Sequence, residues 1–245
     1  MLAFGTPSVS ISRGRTRGLL WAGIIAPILF AATFMIDGFL KPGYSVDNEA
    51  ISYLEVGAYG WVQQANFIIF GLLLVVFLVG YMRVMRPILG QGWLYAASVF
   101  LILSDIGWIM SGLFIPNTFL GPQFTWPAIM HQIAFDMVFL PLTIGWLILG
   151  IKCLFTRGWR GYGIYSLIIG IPLCAFTSIA VINLLDPAAV AGIIGNQNAP
   201  HDGIINRVML LIAPLAWYII SAAIGLRLAK RQPETSTAQP ISERA

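Results

Sequence analysis

Six long apolar runs, set apart by short polar connections, decide what this chain can fold into. They cover approximately residues 18–36, 63–82, 93–115, 126–151, 162–185 and 204–226. A helix needs about 20 apolar residues to cross the hydrocarbon core of a bilayer, and each run reaches that length. None of them alternates apolar and polar residues, and each is about twice as long as a barrel strand, so the spans are helices. The composition agrees. The chain is 58% hydrophobic and 10% charged, whereas a soluble domain carries about a quarter charged residues. The predicted fold is an all-α polytopic membrane bundle of six transmembrane helices. Pro27, Pro141, Pro172 and Pro214 fall inside spans and are expected to kink them locally.

Lysine and arginine set the orientation. Twelve of the 14 basic residues fall in the N-terminal tail, the second-to-third connection, the fourth-to-fifth connection and the C-terminal tail. Only Lys41 and Arg207 fall on the other side. The twelve mark the cytoplasmic face, so both termini are expected in the cytoplasm and the location is the plasma (cytoplasmic) membrane. Residues 1–17 read as a basic cytoplasmic tail, 18–227 as the membrane domain, and 228–245 as a disordered cytoplasmic tail. No cleavable signal peptide is expected, because the first run follows Arg13, Arg15 and Arg17 and is long enough to span.

Several function classes drop out. The net charge of +4 comes from scattered basic groups and forms no nucleic-acid-binding domain. The two cysteines, Cys153 and Cys174, make neither a disulfide framework nor a zinc motif and read as packing residues. His131 is the single intramembrane histidine, which disfavours bis-histidine haem ligation. No zinc-protease, Walker, dinucleotide-loop or nucleophile-elbow motif occurs. No cofactor or metal is expected.

The outer side holds the more complex connections. Lys41-Pro42-Gly43-Tyr44-Ser45 is a turn sequence. Asp47 is placed to cap a short helix running to about Gly57, with Ile51 and Leu54 on one face. That helix is expected on the outer membrane surface or over the bundle, with Trp61 at headgroup level. The third outer connection, 186–203, is polar and turn-rich and reads as a lid or a solvated connection.

Two aspartates inside spans are the sharpest chemical signal. An ionised Asp at a helix centre costs about 2.5–3.5 kcal/mol, and such residues usually face the bundle interior. Asp105 and Asp136 each lie roughly 15 Å below the outer surface on consecutive helices, so the two carboxylates are within reach of each other if their faces match. Gln132 shares a face with Asp136 at i, i+4. His131 is rotated about 140° from Asp136 and faces another neighbour. Arg207, in the first turn of the sixth span, sits where a helix prefers anions. It is expected to answer an acid (Glu55, Asp186 or Asp202) or a lipid phosphate. Structural hydrogen bonding is the competing reading for the two aspartates and His131, an outer-rim salt bridge or headgroup contact for Arg207, and interface anchoring for the tryptophans.

A set of short segments carries a family resemblance. They are Pro42-Gly43-Tyr44-Ser45 and Ile51-Ser52-Tyr53-Leu54 in the first outer connection, then Gly60-Trp61 with Asn66-Phe67. Gly112-Leu113-Phe114-Ile115-Pro116, His131 with Phe135, and Gly203 with Arg207 follow in order. Together they resemble the family catalogued as domain of unknown function 998, six-helix membrane proteins placed near the Frag1/DRAM/Sfk1 group. The family pattern tends to be acidic where this chain has Asn117 and Asn206. The resemblance implies six helices and a membrane location, and it implies no chemistry.

Three functions stay open on this reading. The first is a protein that binds or organises membrane lipids or partner proteins through its outer face. The second is a proton-coupled transporter using Asp105 and Asp136. The third is an intramembrane enzyme acting on a lipid-soluble ligand with Asp105, Asp136 and His131, with Arg207 holding an anionic group.

Overall fold

The computed structural model describes residues 13–116, 125–185, 201–210 and 214–231, and among these there is no strand. The elements in chain order are α1 (Arg13–Leu40), a 3-10 helix (Ile51–Glu55), α2 (Gly60–Leu89), α3 (Gln91–Leu113), α4 (Trp126–Leu154), α5 (Arg160–Leu185), α6 (Asp202–Leu210) and α7 (Ala216–Arg231). By length and composition, α1 to α4 are long and apolar enough to cross a membrane. The described apolar stretch of α5 is Arg160–Ala175. The 30 residues of α2 extend about 45 Å at 1.5 Å per residue, so α2 outruns the apolar run at both ends.

The stretch expected as one sixth helix, 204–226, is described in two pieces. The described residues give α6 and α7 across it, with a π-type turn at Pro214 and Leu215, and 211–213 lie outside the described residues. Pro214 has no N–H to give the carbonyl one turn back, and its ring crowds that turn. A wider turn is one way a helix absorbs this.

From α1 to α5 consecutive helices pack against each other, α6 meets the 3-10 helix, and α7 returns against α1 and α2. The tightest reversal is between α2 and α3, where Gly90 alone serves as C-cap and N-cap with φ 79°. That left-handed backbone is open to glycine at little cost. The reversals alternate direction along the chain. Gly107 lies against Val138 and Leu101 against Gly145, so α3 and α4 run antiparallel. Arg13 Nε donates to Ala229 O at 2.8 Å, which ties the start of α1 to the end of α7. One end of the bundle therefore gathers Arg13, Arg83, Arg86, Lys152, Arg160 and Arg231 (the basic end). The other carries the 41–59 connection, the junction of α3 with α4, and α6 (the cap end).

Aromatic side chains fill the middle. Phe30 stacks on Phe70 with ring centroids 4.4 Å apart and meets Trp108 edge-on at 5.3 Å. Nearer the basic end, the fully buried Trp217 lies 5.3 Å from Trp146 and 5.9 Å from Tyr81. Edge-on and offset pairs of this kind add to the burial of large apolar area. Some polar groups within this core are paired, while Trp108 Nε1 and Trp146 Nε1 have no hydrogen-bond partner among the described residues. Tyr81 and Tyr162 hydroxyls are 3.0 Å apart, Tyr162 and Ser221 are 2.7 Å apart, and Trp217 Nε1 donates to Ser166 Oγ at 3.0 Å.

Candidate functional site

The cap begins where α1 ends. Its turn brings Lys41 under the 3-10 helix, whose last carbonyls lack helical donors. Lys41 Nζ donates to Tyr53 O at 2.7 Å, Leu54 O at 3.2 Å and Val56 O at 2.5 Å, using all three of its protons. A cation at a helix C-terminus also meets a favourable dipole. Burial pulls the Lys41 pKa below its ordinary value, against the opposing pull of Asp37, Glu49 and Glu55.

Arg207 of α6 clamps the other half of the cap. It is only 6% exposed. Nη1 donates to Val46 O at 2.8 Å, Glu49 O at 3.0 Å and Gly203 O at 2.9 Å, and Nη2 donates to Tyr44 Oη at 2.6 Å. The guanidinium also lies 5.6 Å from the Tyr44 ring centroid, close enough for a cation–π contact. Gly203 lets α6 come this close, since a Cβ there would sit 2.5 Å from Val46 O. Asn206 Oδ1 accepts from Ile51 N at 3.3 Å.

The short helix differs from its expected form. It is a five-residue 3-10 turn with Ala50 before it and no side-chain cap. Asp47 instead receives His201: their side chains are 2.7 Å apart. Ile51 and Leu54 do share the buried face, at 3% and 0% exposure, because residues three apart eclipse in this helix type.

Beneath the cap sits a residue that the sequence offers only as a possible partner of Arg207. Glu55 is 1% exposed, and neither carboxyl oxygen has a hydrogen-bond partner among the described residues. Burial pushes its pKa up to about 9, with the Lys41 charge pulling the other way. It is therefore a neutral acid at pH 7. Its nearest charged or titratable contact is His131, with Nδ1 3.8 Å from Oε1. His131 Nδ1 lies 2.5 Å from Phe114 O. A carbonyl can only accept, so Nδ1 carries the proton in this pairing. The sequence signal for its burial is its place directly after Leu54 in a helix that buries Ile51 and Leu54.

The intramembrane candidates are spread over separate neighbourhoods. Asp105 is 1% exposed and interacts with Tyr218 of α7. Ser104 approaches the same hydroxyl. Yet Tyr218 Oη, Ser104 Oγ and Asp105 Oδ1 all stop short of hydrogen-bonding geometry. Asp136 is half-buried and its partner is Gln132, the i, i+4 neighbour. Asp105 and Asp136 thus address different groups, and His131 addresses the end of α3 and the cap. Arg207 points into the cap backbone. Of its expected acids, Glu55 belongs to the His131 neighbourhood and Asp186 lies outside the described residues. The connection 186–200 and the two tails, 1–12 and 232–245, also lie outside them. Among the described residues, no group of three or more His, Cys, Asp or Glu is arranged to hold a metal.

Chemically, the cap end joins two cationic clamps, of which Arg207 keeps its buried Nε unpaired, to a buried acid beside an imidazole. Compared with known proteins, the chain matches the family model described as "Protein of unknown function (DUF998)" over residues 24–224. No curated protein matches, and no solved structure matches.

Proposed function

This chain belongs to the DUF998 family of proteins of unknown function, and on that premise we propose that it is a six-span plasma-membrane protein, both termini cytoplasmic, that binds or organises lipids or partner proteins through a rigid outer cap. The observation that carries this reading is the double clamp. Lys41 and Arg207 are the two basic residues that charge bias leaves on the outer side, and both bury their cationic groups in the carbonyls of the 41–59 connection. A cation needed only to set topology would stay in water. These two instead hold a loop in one shape.

The clamped end presents large apolar side chains. Phe39 is 73% exposed, Leu40 74%, Tyr59 73% and Trp61 65%. Aromatic groups of this kind suit the headgroup level or the apolar face of a partner. The acid–base candidates, by contrast, lie in separate neighbourhoods, which supports a binding role over a catalytic one.

A photoreactive amino acid at Tyr59 or Trp61 tests the reading in intact cells. The expected result is lipid or protein adducts at both positions, which fall when Arg207→Ala frees the cap. Phe155, 83% exposed at the basic end, is the control position. Yields at Tyr59 and Trp61 no higher than at Phe155, or unchanged by Arg207→Ala, would remove the proposal. Labelling of Tyr59→Cys by a membrane-impermeant thiol reagent checks the sidedness separately.

A further inference from the structure

Several arginines at the basic end make no hydrogen bond or ion pair among the described residues, and two of them, Arg15 and Arg83, stand side by side. Arg13 is bonded to Ala229 O and Arg86 to Gln91 Oε1. Arg15 of α1 and Arg83 of α2 have no partner among the described residues, yet they line one shallow surface groove together with Gly18 and Leu19. The floor is open at Gly18, where an added Cβ would meet nothing within 4 Å.

An apolar track leads away from these two charges. From Arg83 toward the cap end, the exposed residues of α2 are Val79 (40%), Val76 (39%), Leu72 (52%) and Ile69 (44%). Steps of four and three residues keep them on the helix face that carries Arg83. The track is about 21 Å long, more than the ~15 Å half-thickness of the hydrocarbon core. Paired guanidinium groups match a phosphate, which they grip through planar, forked donors. A long apolar strip directly below matches an acyl chain and has no use for a free ion.

We propose that the groove between α1 and α2 is a binding site for one anionic phospholipid, with its phosphate between Arg15 and Arg83 and an acyl chain along Val79, Val76 and Leu72. The inference rests on the membrane reading but not on any role of the cap. Cofractionation with membranes would persist if the lipid preference were absent, so the two can fail separately.

The test uses the full chain in neutral detergent, with phosphatidylglycerol and phosphatidylcholine offered in equal amounts and bound lipid counted by native mass spectrometry. Phosphatidylglycerol is expected to be retained preferentially. The preference should fall about five-fold for each arginine removed, in Arg15→Gln, Arg83→Gln and the double variant. Arg15→Lys with Arg83→Lys keeps the charge and should keep part of the preference, which guards against loss through misfolding. Arg17→Gln is the control, since Arg17 lies about 200° round α1 from Arg15. Equal retention of both lipids would overturn the proposal. So would an unchanged preference in the double variant, an equal effect of Arg17→Gln, or complete displacement of the lipid by millimolar inorganic phosphate.

Discussion

Glu55 Oε1 lies 3.8 Å from His131 Nδ1, joining the cap to α4 at a point where water barely reaches either side chain. His131 already gives its Nδ1 proton to Phe114 O, so the carboxyl is left to keep its own. That makes Glu55 one residue through which pH acts on the cap.

The sign follows from linkage. The folded pKa of Glu55, about 9, lies above the ordinary 4.5, so between these values the folded protein binds more protons than the unfolded one. Stability from this group is complete below about pH 4.5, falls as pH rises, and is gone above about pH 9. The slope is at most about 1.4 kcal/mol per pH unit. Melting in detergent should fall across that window. Glu55→Gln should flatten the curve and melt above the parent at pH 8–9. An identical slope in the variant would mean Glu55 is ionised or exposed.

Arg207 should matter through geometry as well as charge. Arg207→Ala strands the Val46 carbonyl and leaves Glu49 O to the Tyr44 hydroxyl alone, a loss of about 2–4 kcal/mol for a buried charged hub. Arg207→Lys keeps the charge but cannot reach four acceptors in one plane, and should recover less than half of the loss. Limited proteolysis within 41–59 reads the cap directly. Cleavage at the parent rate in Arg207→Ala would show that the clamp does not hold it.

The separation of the polar groups predicts which pairs of substitutions interact. Glu55→Gln and His131→Ala touch the same contact, so their joint effect on melting should differ from the sum by at least about 0.5 kcal/mol. Asp105→Asn faces Tyr218, far from that contact, and should add to His131→Ala within that margin. Strong coupling of Asp105 with His131, and none of Glu55 with it, would reverse the assignment made from the geometry.

These contrasts also show what local sequence can carry. Apolar runs and basic connections are local properties, so the helices, their alternation and the basic end follow from residues near one another. The fate of Pro214 was partly visible too: a proline inside a span foretells a disturbance, though not a π-type turn. The cap was hidden. Arg207 and Glu49 are 158 residues apart, and what Arg207 grips is mostly backbone carbonyl, which no residue type advertises. Asp105 and Asp136 had matching depths, but depth fixes only one coordinate. The facing of each helix, set by packing, sends one carboxyl to α7 and leaves the other with Gln132.

The hydroxyl chain near the basic end offers a last expectation. Tyr162 Oη stands between Tyr81 Oη at 3.0 Å and Ser221 Oγ at 2.7 Å, so one atom links α2, α5 and α7. Interhelical hydrogen bonds within membranes are worth only about 0.6 kcal/mol on average, so a single end deletion such as Ser221→Ala should cost little. Tyr162→Phe removes both bonds and leaves Tyr81 and Ser221 facing an aromatic edge, where an unmet polar group costs about 1–3 kcal/mol. Its melting should therefore fall by more than that of Ser221→Ala. Tyr81→Phe with Ser221→Ala in a Tyr162→Phe background should restore part of the loss, because no polar group then remains unmet. A Tyr162→Phe variant as stable as the parent would mean that the chain of hydroxyls adds nothing to the helix packing around it.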